Sequence, residues 1–238
     1  MKSLAAILLV AGCTSADGPE NNVTTPSPGG QSGTGGGDTT ARISGRICVL
    51  ADPQLTSACE ITGGGGLTVN YGANTATTAA DGSFSIDANG IQTSTPITVS
   101  GQQVVASQAN VSATGTTVVP VMSNDMFNQM VLSTGITTEP DTGVILASIE
   151  SQQNAQINGV SATTNPTTSS GVFYDTTGGS SNWGTLATGQ RGVVMVPNVS
   201  SGGAPTSMTF TDSSGGETTV DGIQVVNGGI TYLDAALP

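Results

Sequence analysis

Short runs of threonine and β-branched or aromatic residues, cut off by glycine, recur along this chain and restrict it to β-structure. Ile43, Gly45, Ile47 and Val49 alternate with Ser44, Arg46, Cys48 and Leu50, the period of two that marks a half-buried strand. Leu67, Val69 and Tyr71 alternate in the same way, and further strands are expected at 97–99, 104–106 and 117–121. Ala80-Asp81-Gly82-Ser83 stands between Thr77-Thr78 and Phe84-Ser85-Ile86, the pattern of a β-hairpin closed by a type I′ turn. Charged residues make up only 8% of the chain, against about 25% in ordinary soluble domains. Thr, Ser, Gly, Asn and Gln must therefore supply the surface.

The pattern breaks at Ser123. Met122, Met126, Phe127, Met130 and Val131 recur at helical spacing, Ser123 suits an N-cap, and Gly135 suits a C-terminal stop. One helix of about three turns is predicted, its Met and Phe stripe packed on the β-core. Beyond it the order of the first block returns. Gly143 aligns with Gly45, Gly159 with Gly66, Thr188 through Gly192 with Thr78 through Gly82, and Ser207 with Pro96; a last strand is expected at 229–233. The same element order met twice predicts two copies of one β-module, not one large sheet.

The N-terminus reads differently. Lys2, the apolar run 4–10 and the small residues Val10-Ala11-Gly12 stand in the order of an export signal. The run is too short to span a bilayer, which takes about 20 apolar residues. A cysteine directly after the small residues resembles a bacterial lipobox. That resemblance implies that 1–12 is a lipoprotein signal peptide and that the Cys13 thiol is lipidated, leaving Cys13 as the acylated N-terminus. Residue 14 is Thr, not Asp; by the sorting rule of enterobacterial lipoproteins this implies the outer membrane, the protein facing periplasm or cell surface. Residues 13–41 lack apolar periodicity and are rich in Gly, Ser, Pro and Thr, so a disordered, flexible, lipid-anchored linker is expected.

Without 1–12 the chain keeps Arg42, Arg46 and Arg191 against 16 acidic residues, with no lysine and no histidine. Nucleic acid is excluded as a partner, because phosphate binding needs clustered cations. A polybasic membrane patch is excluded for the same reason, which leaves the N-terminal lipid as the membrane contact. Cys48 and Cys59 remain as a pair. In an exported protein they read as one disulfide; the rival reading, a metal site, lacks the further Cys or His of a zinc set.

Three segments carry a family resemblance: Ser44-Gly45-Arg46, Gly66-Leu67-Thr68-Val69, and Thr77-Thr78-Ala79-Ala80-Asp81-Gly82-Ser83-Phe84. Together they resemble a carboxypeptidase regulatory-like domain, a small transthyretin-like sandwich. The likeness covers 42–121 and is weaker over 142–238, where Arg191-Gly192 replaces Asp-Gly and 173–187 reads as an insertion. It implies an all-β chain of two small transthyretin/Ig-like β-sandwiches, 42–121 and 142–238, joined by a short helical connector at 122–141. It implies an accessory or structural module and carries no catalytic residue.

The residues themselves limit chemistry further. Without histidine there is no Ser-His-Asp triad, Cys-His pair or His-based metal site. Asp141-Thr142-Gly143 and Asp175-Thr176-Thr177-Gly178 spell and nearly spell an aspartic-protease tripeptide, which would require the two aspartates to share a proton. Glu139, Asp141, Asp175, Asp212, Glu217 and Asp221 offer oxygen ligands without the spacing of a Ca²⁺ loop; solvated acids are the other reading. Phe173, Tyr174, Asp175, Asn182 and Trp183 gather the only tryptophan, two more aromatics and polar groups in one Gly-rich insertion. They read either as a sugar-binding platform or as part of the second core. Arg191 reads as the partner of a nearby acid. The expected role is therefore that of a non-enzymatic, lipid-anchored envelope protein without cofactor or metal. It would act structurally, adhesively or by docking an envelope protein; the alternative is carbohydrate binding through 173–183.

Overall fold

The computed structural model describes residues 41–60, 64–88, 94–110, 117–176 and 182–238. Cys13, the expected signal and nearly all of the expected linker lie outside the described residues.

In the first block the period-two segments become strands: β1 (Arg42–Val49), β2 (Thr68–Tyr71), β3 (Asn74–Thr77), β4 (Ser83–Asp87), β5 (Ile97–Gly101), β6 (Val104–Ala109) and β7 (Thr117–Val121). β1 lies between antiparallel β4 and parallel β7. β2 pairs antiparallel with β3 and β5, and β5 with β6. The two layers close on one core, with Ile47, Val49, Phe84, Ile86, Val119 and Val121 facing Val69, Tyr71, Ile97 and Val99.

The second block supplies β8 (Thr142–Ser151), β9 (Ser161–Asn165), β10 (Phe173–Asp175), β11 (Trp183–Gly184), β12 (Val193–Ser200), β13 (Thr206–Thr211), β14 (Glu217–Ile223) and β15 (Ile230–Leu237). Its pairing repeats the first. β8 lies between antiparallel β12 and parallel β15, as β1 does between β4 and β7. β13 pairs antiparallel with β9 and β14, as β5 does with β2 and β6. The turn glycines repeat too: φ is 73° at Gly66 and 74° at Gly159, 81° at Gly82 and 62° at Gly192. Two copies of one sandwich are present.

Two local expectations need correction. The Ala80–Ser83 turn is not a hairpin loop, because β3 and β4 belong to different sheets. Gly82 alone of the Asp-Gly pair takes a positive φ, where a type I′ turn needs two such residues. The turn is a corner at which the chain changes sheets. The sequence match at the first strand is also out of register. Arg46 pairs with Ser83 and Ser148 with Val193, so Ser148, not Val144, is the structural equivalent of Arg46. The error of four residues is a whole number of side-chain alternations, so the inward-facing pattern survived it.

The two copies are not separate bodies, and residues 39–238 form one unit. β15 pairs parallel with β6, from Ile230 opposite Ser107 to Tyr232 opposite Ala109. This fuses both copies into a nine-stranded sheet of order β11-β10-β12-β8-β15-β6-β5-β2-β3, flanked by the three-stranded sheets β4-β1-β7 and β14-β13-β9. Strands β8 and β12, and β15 as far as Leu233, are covered on both faces. Val144, Leu146, Val193, Met195, Ile230 and Tyr232 join the first core. Ile145, Ala147, Ile149, Val194, Val196, Leu233 and Leu237 join the second. A strand buried on both faces needs no alternation, which is why 144–147 and 193–196 read as unbroken apolar runs.

The helix α1 (Asn124–Ser133) starts where expected, with the Ser123 hydroxyl accepting from the Met126 amide at 3.2 Å. Gly135 (φ 71°) follows its C-cap. Met122 and Met130 are buried in the first core, and Met126 and Phe127 pack against it. Among the described residues no helix is long and apolar enough to cross a membrane.

Candidate functional site

The insertion at 173–187 distinguishes the second copy from the first. β10 adds antiparallel to β12, with Phe173 opposite Met195, and β11 pairs with β10. Tyr174 is buried in the second core, where its hydroxyl accepts from the Ala162 amide (2.9 Å) and donates to the Ala162 carbonyl (3.3 Å). Burial raises the pKa of this phenol, and the Ala162 bond offsets it only in part.

Asp175 is 1% exposed. Its Oδ1 accepts from the amides of Gly189 (3.0 Å) and Val193 (2.9 Å), and its Oδ2 from the amide of Arg191 (2.9 Å). The first copy explains this arrangement. There the turn before β4 is held by its own carboxylate: Asp81 Oδ1 accepts from the Ser83 hydroxyl (2.7 Å) and amide (3.0 Å). The equivalent residue in the second copy is Arg191, which cannot accept a hydrogen bond. Asp175 supplies the missing acceptor from the neighbouring strand.

The structure thus puts two of the five expected ligand contacts, Tyr174 and Asp175, inside the protein, with their polar atoms engaged by backbone. Phe173 and Trp183 are half-buried against the first core. The Trp183 indole N–H is buried without a partner among the described residues. Only Asn182 is exposed as a residue. Its carbonyl accepts from Gln54 Nε2 (2.6 Å) and from the Thr176 hydroxyl (3.1 Å).

Gln54 belongs to the first copy. Cys48 and Cys59 form the expected disulfide, and the loop between them turns toward the insertion. The Ala51 amide donates to the Ala58 carbonyl (2.9 Å), closing the loop's neck. Asp52 Oδ1 accepts from the Gln54 amide (2.9 Å), while Asp52 Oδ2 meets the Arg191 guanidinium at 2.6 Å. Arg191 does pair with an acid, and that acid lies in the other copy. The contact set Asp52, Gln54, Asn182 and Arg191 was not legible in the sequence, since no local pattern links residues so far apart.

The remaining carboxylates do not converge. Asp175 sits at the Val193 end of β12, whereas the Asp141 carbonyl accepts from the Ser201 amide (3.0 Å) beyond its other end. Eight residues of strand separate them, roughly 20–25 Å, so the two aspartates cannot share a proton. Asp212 holds its own turn, Oδ1 accepting from the Ser214 amide and hydroxyl (both 2.7 Å) and the Gly216 amide (2.8 Å). Among the described residues no three Cys, Asp or Glu side chains gather as a metal set. A cleft of about 370 Å³ lies where the copies meet, lined by Pro96 and Gln108 of the first copy and by 220–224 of the second.

No protein-family model matches this chain, and no curated protein does. A solved structure titled "Structure of the Streptococcal ancillary pilin" is similar at 11% identity, covering 83% of this chain and 69% of that one with a TM-score of 0.25. A likeness of that size supports no statement about this chain.

Proposed function

We propose that this is a non-enzymatic envelope protein, anchored to the outer membrane through a lipid on Cys13, whose paired carboxypeptidase regulatory-like sandwiches display a β-surface for adhesion or docking. The observation that carries this reading is the outer face of each copy. Thr77, Thr68 and Ser100 stand in one row across β3, β2 and β5, with Thr75, Asn70 and Thr98 in the next. Across β9, β13 and β14 the rows are Ser161, Thr211 and Glu217, then Thr163, Thr209 and Thr219. The Thr209 and Thr219 hydroxyls are 2.9 Å apart, and the Thr75 hydroxyl donates to Asn70 Oδ1 at 2.8 Å. Thr98 and Thr209, like Ser100 and Thr211, are equivalents, so both copies offer the same nearly uncharged lattice of hydroxyls and amides. Such a face makes many weak hydrogen bonds without charge selection, which suits a display surface better than a small-molecule site.

The test has two arms. The full chain, expressed with its own leader in a Gram-negative host, should fractionate with the outer membrane, and Cys13→Ala should move it to the soluble periplasmic fraction. Unchanged fractionation of Cys13→Ala removes the anchor. The purified full chain should also co-sediment with isolated cell-wall and outer-membrane material, and T98A/T209A/T219A should weaken that binding. Absence of co-sedimentation removes the adhesive role.

A further inference from the structure

Cys48 is buried, but Cys59 is exposed. The loop they close carries the Asp52 and Gln54 contacts to the second copy, and these reach both ends of the segment that holds Trp183: the Asn182 carbonyl before it and the Arg191 guanidinium after it. Gln54 is wholly buried, so its side chain is held in place rather than resting on the surface. A short covalent loop keeps Asp52 and Gln54 at high effective concentration against their partners; opening it releases that constraint.

We infer that the Cys48–Cys59 loop is a redox-addressable latch between the two copies, opened by a dithiol reductant attacking Cys59. One thiolate of the dithiol bonds to Cys59 Sγ as the Cys48–Cys59 bond breaks and Cys48 leaves as thiolate. The second thiol of the reductant then displaces Cys59, giving two protein thiols and one cyclic oxidised dithiol. With the loop open, Asp52 and Gln54 leave Arg191 and Asn182, and the β10–β11 edge loosens around Trp183. Both cores keep their sheets: Cys48, Val49 and Leu50 belong to the first core, but β1 is held there by its pairing with β4 and β7, which does not pass through the disulfide. The device goes beyond the display role and stands without it.

The single tryptophan makes the latch directly visible. The full chain is titrated with dithiothreitol, reduction is counted by alkylation and mass spectrometry, and Trp183 emission is recorded beside amide exchange. Reduction is expected to move the emission to longer wavelength and to raise exchange over 182–191 about tenfold, the scale of losing one ion pair and one buried hydrogen bond. Exchange over 97–109 and 206–211 should stay as before, and reoxidation should reverse the change. D52N/Q54L, with the disulfide intact, should reproduce the shift without reductant. Full alkylation with Trp183 unmoved overturns the latch. So does a uniform rise across all segments, which would make the disulfide a staple of the whole fold, or a D52N/Q54L protein indistinguishable from the parent.

Discussion

Thr78 and Thr188 do the same work in the two copies. The Thr78 hydroxyl accepts from the Leu67 amide at 2.8 Å, and the Thr188 hydroxyl accepts from the Val160 amide at 2.9 Å. Their backbones repeat the match: each threonine amide donates at 2.9 Å to the carbonyl of that same residue, Leu67 or Val160. Each threonine is 5% exposed and fastens the turn before β4 or β12 to the start of β2 or β9.

Thr78→Val and Thr188→Val keep the shape and remove the acceptor, leaving a buried amide unpaired. Each should destabilise by about 1–3 kcal/mol in urea unfolding. A large loss at one position and none at the other would show that the two bonds, though alike in geometry, do not matter alike.

Asp175→Asn replaces one carboxylate oxygen by an N–H₂ group. One of the three amides of Gly189, Arg191 and Val193 then faces a donor instead of an acceptor. A loss of about 2–4 kcal/mol is expected, above that of an ordinary hydrogen bond because a buried amide is left unpaired against another donor. Limited proteolysis should cut first within 185–191. A variant as stable as the parent would mean that the turn carries its own weight.

The Tyr174 hydroxyl bonds both backbone groups of Ala162 on β9. Tyr174→Phe should cost about 1–2 kcal/mol at neutral pH. Burial also raises the phenol's pKa above 10 in the folded state. The unfolded chain therefore ionises first as the pH climbs past 10, and stability falls there. Tyr174→Phe should show a shallower alkaline loss than the parent; equal slopes would count against this account.

Asp81 and Asp212 titrate low. The Ser83 hydroxyl and then its amide hold Asp81 below its ordinary value, and the Ser214 hydroxyl, then the Gly216 amide, do so for Asp212. The folded pKa lies below the unfolded one, so the stability each adds is fully present above the unfolded pKa near 4 and is lost as pH falls through the folded pKa. In urea unfolding across pH 2–7, Asp81→Asn and Asp212→Asn should be weaker than the parent at pH 7 and converge with it at the acid end. A gap that does not change with pH would rule out carboxylate charge as its source.

What the sequence made legible was local or repeated. The alternation at 43–50, the cap at Ser123, the Cys48–Cys59 pair and the Gly66/Gly159 and Thr78/Thr188 matches each depend on neighbours or on copying. What it hid was lateral. Asp81-Gly82 favours a turn, but nothing in those residues says whether the next strand returns to the same sheet. The apolar runs at 144–147 and 193–196 did signal double-sided burial, yet a first copy built on alternation led the reading away from it. Asp175 carried a readable sign: a lone acid in a Gly-rich insertion, in a copy whose turn had exchanged Asp for Arg191. The pairing of β6 with β15 has no local signature at all, since parallel neighbours need no turn between them.

That pairing also imposes a timetable. β6 is made early, and the strand that covers its edge, β15, is the last of the described strands to leave the ribosome. Throughout that interval the Ser107–Ala109 edge is an open template for any other extended chain nearby. The protein's exposure to mispairing is thus governed by the time its second half takes to arrive, and a chain halted before Ile230 would leave the first copy permanently unfinished.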